Sequence, residues 1–483
     1  MAEAAEQTPQ IDRKAILVFA AVLIVALIPA WIGPVTLDYP MHIARAFIMA
    51  QPHDGTGVSE FYKIDIQPVP NLGMDFLVSA LIKFLPVQIA STLFITLVVV
   101  LLATGAFAFS AAVHRRVTLA AFLPLLALYD QWFLMGFANY LLGLGIGLWA
   151  LAIWVHLSSK GRRHQLIVLA VVMSVLLIVC HLMAFLVTAA AIALIELEKR
   201  HPTPKLYRIV LVGSCLLCAA IVFVSTIRGR DYWGSMAKIE GTMQIVAPTI
   251  DPISWLVITL PVLALAVLTV ARRGGLGLVH AQIPLMFVTL FFIGPTQLAG
   301  TAFTTERVSL PLLLLFLALI DFRNTSLGLR QSVTDGLVVL MFLKVFVTSF
   351  YFLAGNEALS SLLKALSQIP ERSTIFSADM GLPNRPPWRA IHQHVLNMAT
   401  VDKPRLVAQL FTRRLQQPIL FNESVLVAKD FQGNNPLEIV QWSQVPELVA
   451  RGRLVQAELN SRGLPATDAY LVVYRPKDKA PQS

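Results

Sequence analysis

Apolar runs recur along most of the chain, at 15–32, 87–111, 117–130, 134–157, 165–196, 207–226, 254–271, 279–293, 308–322 and 333–354. A helix needs roughly 20 apolar residues to cross the hydrocarbon core of a bilayer, so each run predicts a membrane-spanning helix. The run 165–196 is too long for one ordinary crossing. Basic clusters flank it on both sides, Lys160, Arg162 and Arg163 before it and Lys199, Arg200, Lys205 and Arg208 after it. One crossing would put one cluster on the far side of the membrane. A hairpin of two short helices turning near His181 keeps both on the same side and raises the expected count to about eleven spans.

Lys and Arg collect in cytoplasmic loops. Arg13/Lys14, Arg115/Arg116, the Lys160 and Lys199 clusters, Arg272/Arg273 and Arg323/Arg330 all fall on one side of this scheme. The N-terminus is then cytoplasmic. Segments 34–86, 131–133, 227–253, 294–307, the turn near 181 and everything after 355 face outside. The first run is longer than a usual signal-peptide core and no small-x-small cleavage site follows it, so it reads as a retained first helix.

After about residue 355 the pattern changes. Pro and charge return, and short β-like runs appear at Ser373–Ser377, Leu406–Phe411, Pro418–Phe421 and Ala469–Tyr474, with amphipathic helical stretches at 388–400 and 446–462. The expected fold is therefore an α-helical polytopic membrane domain over 1–354, with a long first outer loop at 34–86. A small soluble α/β domain follows over 355–483.

Composition agrees with lipid as the main solvent. Only 14% of residues are charged, against about a quarter in soluble domains, and mean hydropathy is +0.69. The net charge of +10 sits in the short loops just described, so it reads as topology and contact with membrane lipids rather than as a nucleic-acid surface. Cys180, Cys215 and Cys218 lie inside apolar runs and read as small packing residues. Gly143, Gly145 and Gly147 follow no strand, which argues against a dinucleotide loop. Gly143 and Gly147 make a small-xxx-small face for close helix packing.

Ionisable residues at the outer ends of spans are the candidate chemistry, because lipid penalises charge. In "LDYPMHIARAF", Asp38, His42 and Arg45 share one helical face. Pro40 suits a first helical turn, which makes Asp38 or Tyr39 the N-cap. On one reading Asp38 caps a short interfacial helix while His42 and Arg45 face water or headgroups. On the other, Asp38 is an ionised carboxylate acting on an acceptor hydroxyl, supported by its two neighbours. Glu60, Lys63, Asp65 and Asp75 later in that loop are either solvated charges or site residues. Asp130, Gln131, Trp132, Asn139 and Tyr140 surround a tight outer turn, where Trp132 and Tyr140 also fit an interfacial aromatic belt. His181 tips the hairpin, as a structural or a binding residue. Arg228, Arg230 and Lys238, with Asp231 and Glu240, lie in an outer loop against the charge bias. Phosphate binding accounts for such bases, and so does anionic lipid. Glu306 and Arg307 stand at the mouth of a span, either paired with each other or with Arg307 reaching into a cavity. His392 and His394, two apart, are a weak metal signal, and no zinc, Walker or nucleophile motif is present.

This layout resembles the GT-C glycosyltransferases, among them protein mannosyltransferases, aminoarabinose transferases and oligosaccharyltransferases. It combines many spans, an acidic residue just after the first helix, short paired helices and an outer C-terminal domain. The segments "DYPMHIAR", "GFANYLLGLGIGL", "HLMAF" and "ER" also look like a group of bacterial multi-spanning proteins of the same layout. The resemblance implies a polyprenyl-phosphate sugar donor and an active site on the periplasmic side of a bacterial inner membrane. Asp38 is the position matching the family's acidic residue, which acts on the acceptor or helps hold a divalent metal. The usual second acidic residue is replaced by Tyr39, so the metal is left open. Arg228, Arg230, Lys238 and Arg307 are the phosphate candidates it implies. A transporter or flippase and a non-catalytic envelope assembly protein are the competing expectations, with a repeat or a midplane polar site as the mark of transport.

Overall fold

A computed structural model describes residues 13–67, 70–198, 297–298, 301–302, 306–320, 322, 325–368, 371, 374–378, 394–407, 410, 418–421 and 470–474. The expected spans 207–226, 254–271 and 279–293 lie outside the described residues, as do Cys215, Cys218 and the helical stretch 446–462. The chain forms two compact units, Met1–Pro34 with Ile95–Tyr351, and Val35–Phe94 with Phe352–Ser483. The second unit joins the first long loop to the C-terminal segment.

The described residues of the first unit are mostly helical, with β2 (Gln297–Leu298) and β3 (Thr301–Ala302) as one short antiparallel pair. Among the described residues, five helices are long and apolar enough to cross a membrane: Arg13–Ile32, Val87–His114, Ala138–Ser159, Arg163–Cys180 and Leu327–Glu357. The first comprises α1 (Arg13–Ala26) and α2 (Ile28–Ile32), with Pro29 in the opening turn of α2. Phe19 of α1 packs against Phe107 of α5 (Val87–His114), with ring centroids 4.1 Å apart.

The run 117–130, expected as an ordinary span, departs from that form. It consists of two 3-10 turns, Leu119–Ala121 and Leu123–Ala127, ahead of α6 (Gln131–Leu134). Pro124 lies in the first turn of the second of these, where its missing N–H costs nothing. Leu123, Leu125 and Leu126 are at most 1% exposed, so this segment is core rather than lipid-facing. Likewise the run 308–322 holds α10 (Ser309–Leu319), only 11 residues or about 17 Å of helix. Buried leucines ring it, as expected of a helix apolar on all sides.

α7 (Ala138–Ser159) is the central strut of this unit, flanked by α8 (Arg163–Cys180) and α9 (Leu182–Glu198). Ile146 of α7 shares a core with Met173 and Leu177 of α8 and Phe185 and Ala189 of α9. Trp154 of α7 donates its indole N–H to Glu196 Oε1 near the end of α9, at 2.8 Å. α8 thus runs against α7, the chain reverses at His181, and α9 runs back beside it, which is the expected hairpin. His181 is the one residue between the helices, in extended conformation.

The α7 glycines permit this closeness. A Cβ on Gly143 would lie 2.8 Å from Ala184 Cβ, and one on Gly147 would collide with Thr188 Oγ1. Gly145 faces the other way, where its Cβ would come within 3.0 Å of the Leu101 carbonyl carbon and the Leu102 nitrogen. Apolar side chains gain nothing by leaving lipid for protein, so packing at this distance must supply the attraction.

The second unit contains α3 (Tyr39–Ala50), β1 (Tyr62–Ile64) and α4 (Gly73–Ile82) from the first loop. From the C-terminal segment come β4 (Thr374–Ala378), β5 (Leu406–Val407), β6 (Ile419–Phe421) and β7 (Tyr470–Tyr474). Each of these four strands falls on one of the β-like runs in the sequence. β4 is central, parallel to β5 and antiparallel to β7. β1 pairs antiparallel with β6, Tyr62 opposite Phe421 and Ile64 opposite Ile419. Met41, Ala44 and Ile48 of α3 share one core with Tyr62, Leu406, Leu410 and Ile419. The Tyr62 hydroxyl, buried there, accepts from Val407 N at 2.8 Å. α11 (Leu327–Gln368) continues well beyond the expected end of its apolar run at 354.

Gly145→Ala is expected to lower the thermal stability of the detergent-solubilised protein by about 1–3 kcal/mol through overpacking. Gly336→Ala, in α11 with no atom within 4 Å of its Cβ, should leave it equal or raise it by up to about 1 kcal/mol. Equal melting temperatures for native protein and Gly145→Ala would contradict the packing described.

Candidate functional site

Of the two N-cap candidates before Pro40, Asp38 stands at that position of α3, yet its side chain makes no capping hydrogen bond. Instead Oδ1 lies 3.1 Å from Nδ1 of His394, with the two side chains 23% and 30% exposed. The contact has hydrogen-bond length without hydrogen-bond alignment, a common condition of catalytic pairs before substrate binds. His394 opens a short helical segment that ends in α12 (Ala399–Asp402). Buried Asn397 holds it, donating from Nδ2 to the His394 carbonyl at 2.9 Å. Arg405, fully buried, donates to the carbonyl of Ala399 at 3.1 Å and closes the other end.

His42 and Arg45 do not face water or headgroups. They are 6% and 0% exposed. Arg45 grips Asp75 of α4 with two bonds, Nε to Oδ1 at 2.6 Å and Nη2 to Oδ2 at 2.8 Å. Nη2 also lies 2.7 Å from Nδ1 of His42. A guanidinium only donates, so His42 Nδ1 accepts and its proton sits on Nε2. The solvated-charge reading of Asp75 fails for the same reason, since Asp75 is wholly buried. It lies in the first turn of α4, where the helix dipole also favours its charge. Arg45 and His42 thus help tie α3, which carries Asp38, to α4. Tyr39, next to Asp38, donates its hydroxyl to the Ser91 carbonyl at 2.8 Å. Burial raises that hydroxyl far above its ordinary range, so it remains a donor.

A second polar cluster lies in the first unit. Asp130 caps α6, accepting from Phe133 N at 3.1 Å through Oδ1. Its Oδ2 is buried with no hydrogen-bond partner among the described residues. Tyr140 donates to the Arg307 carbonyl at 2.6 Å. The Arg307 guanidinium lies 2.8 Å from His181 Nε2 and 4.2 Å above the Phe137 ring. Trp132 donates to Ser309 Oγ at 3.1 Å and stacks on Phe137. Trp132 and Tyr140 are at most 1% exposed, so the interfacial-belt reading does not hold for them.

The structure thus brings Asp130, Tyr140, His181 and Arg307 together, and adds Lys344, which sequence reasoning passed over. Lys344 is 1% exposed on α11, donates to the Leu126 carbonyl and feels the charge of Asp130. Its signal was a single Lys inside the apolar run 333–354.

Glu306 belongs to a 3-10 turn, Glu306–Val308. Arg228, Arg230, Lys238 and His392 lie outside the described residues. Among the described residues no three His, Cys, Asp or Glu side chains gather as a metal set. Asp38 and His394 alone fall short of the three or four protein ligands usual for a bound transition metal.

Comparison with family models, curated proteins and solved structures finds no match. The chain's own geometry therefore carries the functional argument.

Asp75→Asn should destabilise the protein by about 3–5 kcal/mol, because it leaves the Arg45 charge buried without its counter-ion. Asp38→Asn, removing a partly exposed contact, should cost at most about 1 kcal/mol. Denaturation of both variants in detergent checks this. Similar losses in the two would mean that Asp38 is structural.

Proposed function

We propose that the chain is a membrane glycosyltransferase of a bacterial inner membrane, moving sugar from a polyprenyl-phosphate donor to a lipid or periplasmic acceptor. About eleven spans, a cytoplasmic N-terminus and a periplasmic C-terminal segment belong to this proposal. The observation that carries it is the state of Asp38. The carboxylate is spared from capping, reaches solvent, and meets an imidazole on a helix held rigid by a buried ion pair. A group that handles an acceptor proton needs that combination of access and fixed position.

In this reading the acceptor hydroxyl oxygen bonds to the sugar's anomeric carbon as the bond from that carbon to the phosphate oxygen breaks. The lipid phosphate leaves with the electron pair, and its charge calls for cationic donors. Arg228, Arg230 and Lys238 of the outer loop are assigned that role. Asp38 deprotonates or orients the acceptor, and the C-terminal segment helps to select it.

Reconstituted vesicles supplied with a panel of polyprenyl-phosphate sugars should show transfer by the native protein, and Asp38→Asn should cut kcat by roughly 10²–10⁴-fold. Native-level transfer by Asp38→Asn in folded protein would remove Asp38 from the site.

One observation favours a second reading, transport of a lipid-linked or polar substrate. Lys344 and Asp130 are both buried within the apolar unit, and ionisable groups in such places often mark a substrate or proton path. A flippase would move a fluorescent lipid-linked sugar between leaflets in vesicles. That movement should be lost in Lys344→Met and kept in Asp38→Asn. The transferase reading expects no movement from the native protein.

A further inference from the structure

We propose that His394 is the proton acceptor of this site and that Asp38 is the positioning residue that orients it; this rests on the glycosyltransferase reading. The contact between Asp38 Oδ1 and His394 Nδ1 is 3.1 Å long and not aligned as a hydrogen bond; in the proposed step it closes into one, with the carboxylate accepting and the ring proton on Nδ1. The in-plane lone pair is then on Nε2. A neutral imidazole in that tautomer accepts a proton, and the carboxylate behind it stabilises the imidazolium that results.

The surroundings suit this division of labour. The backbone of His394 is anchored by Asn397 through its carbonyl. Partial exposure leaves the ring open to substrate. His42, the imidazole of α3, is buried, with Nδ1 facing Arg45. Arg405, beyond α12, spends its guanidinium on the carbonyls of Ala399 and Ser367.

The step balances. The acceptor oxygen forms its bond to the anomeric carbon while its proton passes to His394 Nε2. The bond between carbon and phosphate oxygen breaks, with both electrons leaving on the lipid phosphate. The imidazolium then returns its proton to water or to the departing phosphate.

The test uses the full-length chain in vesicles. His394→Gln should lower kcat by about 10²–10⁴-fold with KM changed less than about threefold, the pattern of an interaction made only in the transition state. Added imidazole should restore activity to His394→Gly by at least about tenfold, which a structural role would not allow. The double variant Asp38→Asn/His394→Gln should be within about threefold of the weaker single variant, since groups acting as one unit are not additive. Native kcat in His394→Gln, no imidazole rescue, or losses that multiply in the double variant would each overturn the proposal. Carbethoxylation of His394, followed by mass spectrometry, tests the pair without any transfer. Its rate should change at least threefold between native and Asp38→Asn protein, and an unchanged rate overturns the pair alone. Absence of transfer by the native chain with every donor overturns the glycosyltransferase reading, and the proton-accepting role falls with it even where carbethoxylation upholds the contact.

Discussion

A guanidinium cannot leave water alone, and the second unit is arranged around that constraint. Arg45 is wholly buried, at a desolvation cost of several kcal/mol even after relaxation. Asp75 answers with both carboxylate oxygens, and His42 lends a ring nitrogen. Because the geometry is bidentate, it fixes orientation as well as distance. α3 can therefore sit against α4 in one way only if the pair is to form. Everything at the start of α3, including Asp38, inherits that fixed position.

The same constraint acts in the first unit, with different solutions. Arg307 meets an imidazole and an aromatic face, both of which favour a cation. Lys344 borrows a backbone carbonyl and the field of Asp130. Around them α7 supplies close packing through Gly143, Gly145 and Gly147. These devices are complementary. Glycine lets backbones approach, approach excludes lipid and water, and exclusion forces each remaining charge to find a partner.

How much of this was legible depends on range. The turn at His181 was readable because local length and two basic flanks excluded a single crossing. The C-terminal strands were readable because alternation and composition are local. The small-residue face of α7 was readable from spacing alone. By contrast, helical spacing put Asp38, His42 and Arg45 on one face but could not say what they met. Asp75 is thirty residues beyond Arg45, and His394 lies at the other end of the chain. The run 117–130 misled because apolar content does not reveal whether neighbours are lipid or protein. Lys344 was overlooked inside a run judged by its average.

The capping position bears on the chemistry of the Asp38–His394 pair. The positive end of a helix favours negative charge close by. Had Asp38 also capped α3, its oxygens would have been turned toward the backbone N–H groups. In the structure they are not, so the helix end contributes field without claiming the lone pairs. A carboxylate whose oxygens are left free of the helix end is a good partner for a ring that gains and loses a proton in the proposed step. The imidazole, partly exposed and anchored through its backbone, is the group with freedom to do so. In the proposed site the placement of the two residues thus separates charge from proton transfer, the carboxylate supplying one and the ring the other.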